Sequence, residues 1–299
     1  MELPFELEHR IFHLAGSLYP VCIPRLVLVA WRVKEWVEPL LYRTFALNAD
    51  DEALPVLPKI SPEILQRILS SKSPEFLREN VHNLFIRRCR DVDFISTLLC
   101  TFSNLRNLFF LTSEDMFPTG LDFSGQLQHL YSDFWELLSA RGYAFGDVLF
   151  TSLTHLELFD GFPDPDQRSQ TETDELVSGL ASLPSLTHLS LDWTVADHIP
   201  TLQAFVAASL KNDRIRAVVL VRPQPSPRVA ACVHDAGLDM DVRFVLVVCP
   251  DYTTDWQRGV LYGEDYWTRA DELIARRRSG EVDRKVFIVK VEETSSGLD

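Results

Sequence analysis

An apolar residue, two variable positions, a second apolar residue, one variable position and usually a third apolar residue recur along most of this chain. The unit reads Val81-Leu84-Ile86, Leu105-Leu108-Phe110, a weaker Leu127-Leu130-Ser132, then Leu153-Leu156-Leu158 and Leu186-Leu189-Leu191. Looser copies follow at Ile215-Val218-Leu220 and Val242-Val245-Val247. The first positions are separated by 24, 22, 26, 33, 29 and 27 residues. Two copies share a phrase, Phe-Thr-Ser-Leu-Thr-His-Leu-Glu-Leu at 150–158 and Leu-Pro-Ser-Leu-Thr-His-Leu-Ser-Leu at 183–191. A period of this size marks a stacked-repeat architecture. Alternate apolar positions bring side chains to one face of a strand. The segments between carry helical patterns: Leu176, Val177 and Leu180 within 174–182, Ile199, Leu202, Phe205, Val206 and Leu210 within 197–210, and Val229, Ala230 and Val233 within 226–236. A strand–helix unit this small cannot bury its own apolar face, so its neighbours must stack on it.

The unit resembles the leucine-rich repeat, in which parallel strands line a concave side and helices a convex side. The asparagine usual after the last repeat leucine is missing, with Thr112, Asp160 and Trp193 near that place. The resemblance is therefore to the degenerate kind of repeat. The 33-residue step contains an acidic, proline-containing insertion at 160–175, which reads as a solvated surface loop.

Charge narrows the partners. The 299 residues include 43 acids and 29 Lys and Arg, a net charge of −14. Nucleic acid and anionic membranes attract basic surfaces, so neither is expected as a partner. Residues 1–47 carry five acids and five bases, which puts the negative balance after Leu47. The five cysteines (Cys22, Cys89, Cys100, Cys232 and Cys249) form no C-x-x-C pair, so neither a zinc ribbon nor a redox motif is indicated. The start is acidic, unlike a signal peptide, and the longest strongly apolar run, Phe244 to Cys249, is too short to span a bilayer. A soluble chain, cytoplasmic and/or nuclear, is expected.

Residues 3–47 differ from the repeats. Leu7, Ile11, Phe12 and Leu14 mark a first helix, a linker holds Pro20 and Pro24, and apolar runs follow at Ile23 to Val29 and Trp36 to Leu47. Three short helices are implied, with Pro39 starting the last. The apolar positions are too many for one small bundle to cover, so the segment should dock on its own chain or offer a face to a partner. Leu3-Pro4-x-Glu6-Leu7-x-x-x-Ile11-Phe12 resembles the opening of the F-box motif. Leu26-Val-Leu-Val-Ala30 followed by Arg32 is similar to its middle, and Glu38-Pro-Leu-Leu-Tyr-Arg-Thr-Phe-Ala-Leu47 to the ending common in fungal F-box-like proteins.

That resemblance implies a substrate-recognition subunit of a cullin–RING ubiquitin ligase. In the family the F-box helices bind the S-phase-kinase-associated adaptor protein, which joins the cullin complex, and the repeats hold a protein substrate. The adaptor contact would comprise Leu3, Pro4, Leu7, Ile11, Phe12, Leu26, Leu28, Val29, Leu40, Leu41 and Tyr42. The alternative is a repeat scaffold that binds protein, with the N-terminal helices acting only as a solenoid cap.

No catalytic signature stands out: G-x-G-x-x-G, G-x-x-x-x-G-K-[ST] and G-x-S-x-G are all missing. No enzyme activity, cofactor or metal is expected. His9 and His13 lie four apart but lack the interposed Glu of a metalloprotease helix, and read as polar residues on an outer face. His129, His155 and His188 each precede the middle leucine of a repeat, so they should align on successive strands about 4.8 Å apart. With Asn107, Glu157 and Ser190 they are expected to line a concave, partner-binding face. Arg276-Arg277-Arg278 ends a helical pattern begun at Glu264, and reads as basic residues in a last turn. Residues 251–256 read as a turn-rich link and 285–291 as a strand. The expected organisation is an F-box-like all-α module at 1–48, an α/β leucine-rich-repeat solenoid at 49–250, and a C-terminal helix–strand cap at 251–299.

Overall fold

The computed structural model describes residues 3–47, 57, 59–111, 126–133, 145–146, 148–159, 175, 178–192 and 199–291. It opens with α1 (Phe5–Leu18), a 3-10 turn (Pro20–Cys22), α2 (Ile23–Leu26) and α3 (Trp31–Leu41). Then come β1 (Thr44–Leu47), β2 (Lys59–Ile60), α4 (Pro62–Ser71), α5 (Pro74–Asn80), β3 (Asn83–Arg87), α6 (Val92–Thr101), β4 (Asn107–Leu111) and β5 (His129–Ser132). The rest comprises β6 (His155–Leu158), β7 (His188–Asp192), α7 (Ile199–Leu210), β8 (Ala217–Arg222), α8 (Pro227–Asp235), β9 (Phe244–Val248), α9 (Tyr252–Tyr262), α10 (Tyr266–Ser279) and β10 (Ile288–Lys290).

The ten strands form one sheet in the order β10-β9-β8-β7-β6-β5-β4-β3-β1-β2. All nine neighbouring pairs are parallel. From β3 to β10 the strands lie side by side in chain order, the arrangement that stacked strand–helix units produce. The fold class is therefore α/β. The middle residues Leu84, Leu108, Leu130, Leu156, Leu189 and Val218 stand in register and turn to one side. The last unit differs from its reading as Val242-Val245-Val247, because Phe244 and Leu246 continue that row while Val245 and Val247 face the other side. The row merges with Leu65 of α4, Leu77 of α5, Leu98 of α6, Phe205 of α7 and Val233 of α8 into one buried cluster. Serine before proline starts three of these helices. Ser61, Ser73 and Ser226 each accept the N–H three residues on, and Pro62, Pro74 and Pro227 occupy the first turn, where a missing N–H costs nothing.

Four further expectations need correction. The first is that α3 begins at Trp31 and carries Pro39 inside it, rather than Pro39 opening a helix that runs to Leu47. Thr44–Leu47 is instead a fully buried strand, paired with β2 and β3, so the helical module ends near Arg43 and not at 48. The second is that Asp251 to Trp256 is no turn-rich link: Asp251 accepts the N–H groups of Thr253 and Thr254 and so starts α9. The third concerns 285–291, of which only 288–290 form a strand, against β9.

The fourth concerns the largest feature. Residues 251–291 do more than cap the last repeat, whose edge β10 covers by pairing with β9. α9 and α10 form a hairpin that packs on the sheet face opposite α4–α8, giving three layers. Trp256, Tyr266, Trp267, Ala270, Leu273 and Ile274 join Ala46, Phe85, Phe109, Tyr131, Val219 and Val245 in a second buried cluster. Gly263 closes the hairpin at φ +73°, in the left-handed region, donating its N–H to the Gly259 carbonyl. Asp255 of α9 accepts from the Tyr266 N–H at 2.8 Å and from Arg269 at 2.9 Å, which locks the two helices together. The expected helix at 174–182 is described at 175 and 178–182, where it is helical. The insertion at 160–174 and the last eight residues lie outside the described residues.

Candidate interaction surfaces

Two surfaces follow from the sequence: the inner row of the repeats and the face of the N-terminal helices. The inner row forms in full register. Thr44, Asn83, Asn107, His129, His155 and His188 stand side by side on β1, β3, β4, β5, β6 and β7. The three imidazoles stack face to face, with centroids 4.1 and 4.0 Å apart and planes 8° from parallel. The repeated Thr-His dipeptide sets each ring: Thr154 Oγ1 shares a 2.9 Å hydrogen bond with His155 Nδ1, and Thr187 Oγ1 one of 2.7 Å with His188 Nδ1. Gln128 replaces the threonine before His129, whose Nδ1 has no partner among the described residues. Parallel rings aim their nitrogens in one direction rather than at one point. Among the described residues no group of three or more His, Cys, Asp or Glu could hold a metal ion.

The row is a packing interface, not an open groove, and this corrects its reading as a partner-binding face. Asn107, Glu157, His188 and Ser190 are buried, and His129 and His155 are half-buried. α9 and α10 lie over them. Trp256 Nε1 donates to Asn107 Oδ1 at 2.7 Å, Tyr266 Oη to Glu157 Oε2 at 2.7 Å, and Trp267 Nε1 to Tyr131 Oη at 3.1 Å. Trp267 also sets its edge against His155 and His188, and His188 Nε2 lies 3.2 Å from both Asp271 oxygens. The polar groups that a partner would have used are thus covered by the chain itself, and Asn107, Glu157 Oε2 and His188 are engaged by it.

Burial also shifts their protons. His129 is pushed down to about 4 by burial, and His155 falls well below the ordinary imidazole value for the same reason. Glu157 is pushed up to about 8 by burial; Tyr266 opposes this, while Asp192, Asp255 and Asp265 add to it. A carboxyl held neutral with a phenol donor looks like a general acid. It nonetheless lies buried beneath α10, where Tyr266 covers it.

The N-terminal helices present the opposite picture. Ile23, Val33 and Val37 form a small core with Phe12, Leu26, Val27, Trp36, Leu40 and Leu41 packed against it. Gly16 lets α1 approach α3 closely, since a Cβ there would lie 2.9 Å from Leu40 Cδ1. Tyr42 packs edge-on against Phe45 and Phe76, and Lys72 reaches Glu38 at 2.9 Å, so the module is joined to the first repeats. Of the eleven residues assigned to an adaptor contact, Leu3, Pro4, Leu7, Ile11, Leu28 and Val29 are exposed together with their neighbours. Phe12, Leu26, Leu40, Leu41 and Tyr42 are half-buried, packed on the module's own core and at its joint with the repeats.

Sequence reasoning missed part of the exposed face. Leu7, Ile11, Leu14 and Leu18 recur at i, i+4, i+7 and i+11, one stripe of α1, and all lie between 48 and 54 % exposed. Tyr19, Val21 and Trp31 continue it. Of the seventeen exposed large apolar side chains among the described residues, eleven fall between Leu3 and Trp31.

Compared with family models, with curated proteins and with solved structures, the chain matches none. Among the described residues no helix is long and apolar enough to cross a membrane.

Proposed function

We propose that the chain is a non-enzymatic recruitment subunit: its N-terminal helices dock as an F-box-like segment on the S-phase-kinase-associated adaptor of a cullin–RING ubiquitin ligase. The exposed apolar stripe on α1 carries the reading. A terminal cap that serves only to close a solenoid needs a polar outer face, whereas here Leu7, Ile11, Leu14 and Leu18 face outward with Leu28 and Val29 nearby in sequence. Large apolar side chains grouped this way are the usual anchors of a protein interface. Such a subunit promotes ubiquitin transfer by raising the local concentration of a bound substrate. The inner row is filled by α9 and α10, so the substrate would engage a different surface.

Co-purification with the adaptor tests this. Wild-type chain should retain it, and Ile11→Asp and Leu28→Asp should each lose it while melting at the wild-type temperature. Normal adaptor binding by both variants, or none by the wild type, overturns the reading. Retention of another protein through the same stripe, without the adaptor, favours the scaffold alternative.

A further inference from the structure

Between α1, α2, the end of α3, β1 and α9 lies a cleft of about 250 Å³. Its walls are apolar, among them Pro20, Ile23, Leu40, Leu41, Val260 and Leu261. They come from separate parts of the chain, and each part is held. Pro20 and Pro24 stiffen the turn between α1 and α2. Leu57 is tied to α9 by its N–H, which donates to the buried Gln257 Oε1 at 3.2 Å. Thr44 is buried in β1, its Oγ1 accepting from Asn83 Nδ2. A cleft framed this way cannot close by the movement of one side chain.

Among the described lining residues only Arg43 is charged. Its carbonyl accepts the His82 N–H at 3.0 Å, and the His82 carbonyl accepts the Arg106 N–H at 2.8 Å, so Arg43, His82 and Arg106 stand at the entry to three adjacent strands. Neither guanidinium has a hydrogen bond or an ion pair among the described residues. The local field is positive: His82 lies below the ordinary imidazole value through burial first, then through the charges of Arg106 and Arg43. On a chain with 43 acids and 29 Lys and Arg, two arginines with no ion pair among the described residues, set on either side of a histidine, favour an anionic group at this end of the cleft.

We propose that this cleft binds a small organic acid, its apolar body between the module and α9 and its carboxylate on Arg43. The volume sets the size. An apolar cavity of about 150 Å³ takes a benzene, so this one suits an aliphatic body of roughly ten carbons. A peptide is a poorer occupant, because its amides would meet a wall with few polar partners. Planar, bidentate recognition of carboxylate is what an arginine offers. The proposal does not depend on adaptor binding.

Calorimetric titration of the full chain with decanoate, below its micelle concentration, is the test. One saturable site is expected. Binding should weaken at least tenfold for decanol, the neutral counterpart, and for Arg43→Gln. It should disappear in Val21→Trp, which fills the mouth from an exposed position that folding does not need. As an independent measure, proton NMR should show the His82 titration moving to higher pH when decanoate is bound. No saturable binding, unchanged binding in Val21→Trp, or equal binding of decanol and decanoate overturns the proposal.

Discussion

Tyr266 donates its hydroxyl to Glu157 across the boundary between α10 and the sheet, at 2.7 Å, and both residues are buried. That bond satisfies Glu157 Oε2, while Oε1 has no partner among the described residues. The carboxyl is therefore stable there only as the neutral acid. Its folded value of about 8 lies above the ordinary 4.5. Between those values the folded chain binds the extra proton, so stability falls as pH rises from about 4.5 to about 8. Glu157→Gln keeps the shape and the acceptor. It should leave stability near pH 4.5 unchanged and raise it by roughly 3 kcal/mol at pH 7. Chemical denaturation at the two pH values checks both halves.

His129 acts in the opposite sense. Its folded value of about 4 lies below the ordinary 6.5, so the unfolded chain is the proton-binding state between them. Stability should fall as pH drops from about 6.5 to about 4, by on the order of 3 kcal/mol. His129→Gln removes this group from the linkage, and its unfolding free energy should vary less over that window. Urea midpoints measured across the range decide the matter.

Arg277 is fully buried, and its guanidinium donates to the carbonyls of Asp239, Val242, Phe244 and Arg284. Burial lowers its pKa, but the chemistry needed is donation to four carbonyls at once. Arg277→Leu leaves those acceptors dry and should destabilise the fold by roughly 3 to 5 kcal/mol. Arg276→Leu and Arg278→Leu, at exposed neighbours, should each change it by less than about 0.5 kcal/mol. Thermal melts of the three variants make the comparison.

Removing the hairpin should not open a docking face. Without residues 251–299 the chain would expose Phe85, Phe109 and Tyr131, three aromatic rings stacked along neighbouring strands at 4.5 and 5.8 Å. Such a truncation should aggregate or bind a hydrophobic dye strongly. A monomeric, cooperatively melting product would show that the inner face is built to be bare.

The sequence is most legible where one physical rule sets both period and neighbour. Stacking fixed the strand order from β3 to β9, and the same rule put His129, His155 and His188 in one ladder. β1 was missed although Tyr42-Phe45-Leu47 fits the repeat unit, because it follows an apolar helix without punctuation. The filled inner face also left a trace. Between the repeat leucines stand Phe85, Phe109, Tyr131 and Val219, where a water-facing row would carry polar residues. In the last unit, Phe244 to Val248 are all apolar, which is also why the reading Val242-Val245-Val247 fell one residue out of phase. Strands apolar on both sides are buried on both sides. Weighing those positions as heavily as the leucines would have called for a second layer, which α9 and α10 supply. The cleft has no such trace, since Pro20, Leu40, Arg43 and Leu261 meet only through the fold.

The hairpin on the inner face has a mechanical consequence. A sheet of stacked strand–helix units bends like a spring, because each unit touches only its neighbours. Here Trp256 packs against Phe85 of β3 while Arg277 clasps the start of β9, so one brace spans the sheet from β3 to β9. Flexing the sheet between the N-terminal helices and the far strands then requires breaking contacts of this brace as well as bending the stack.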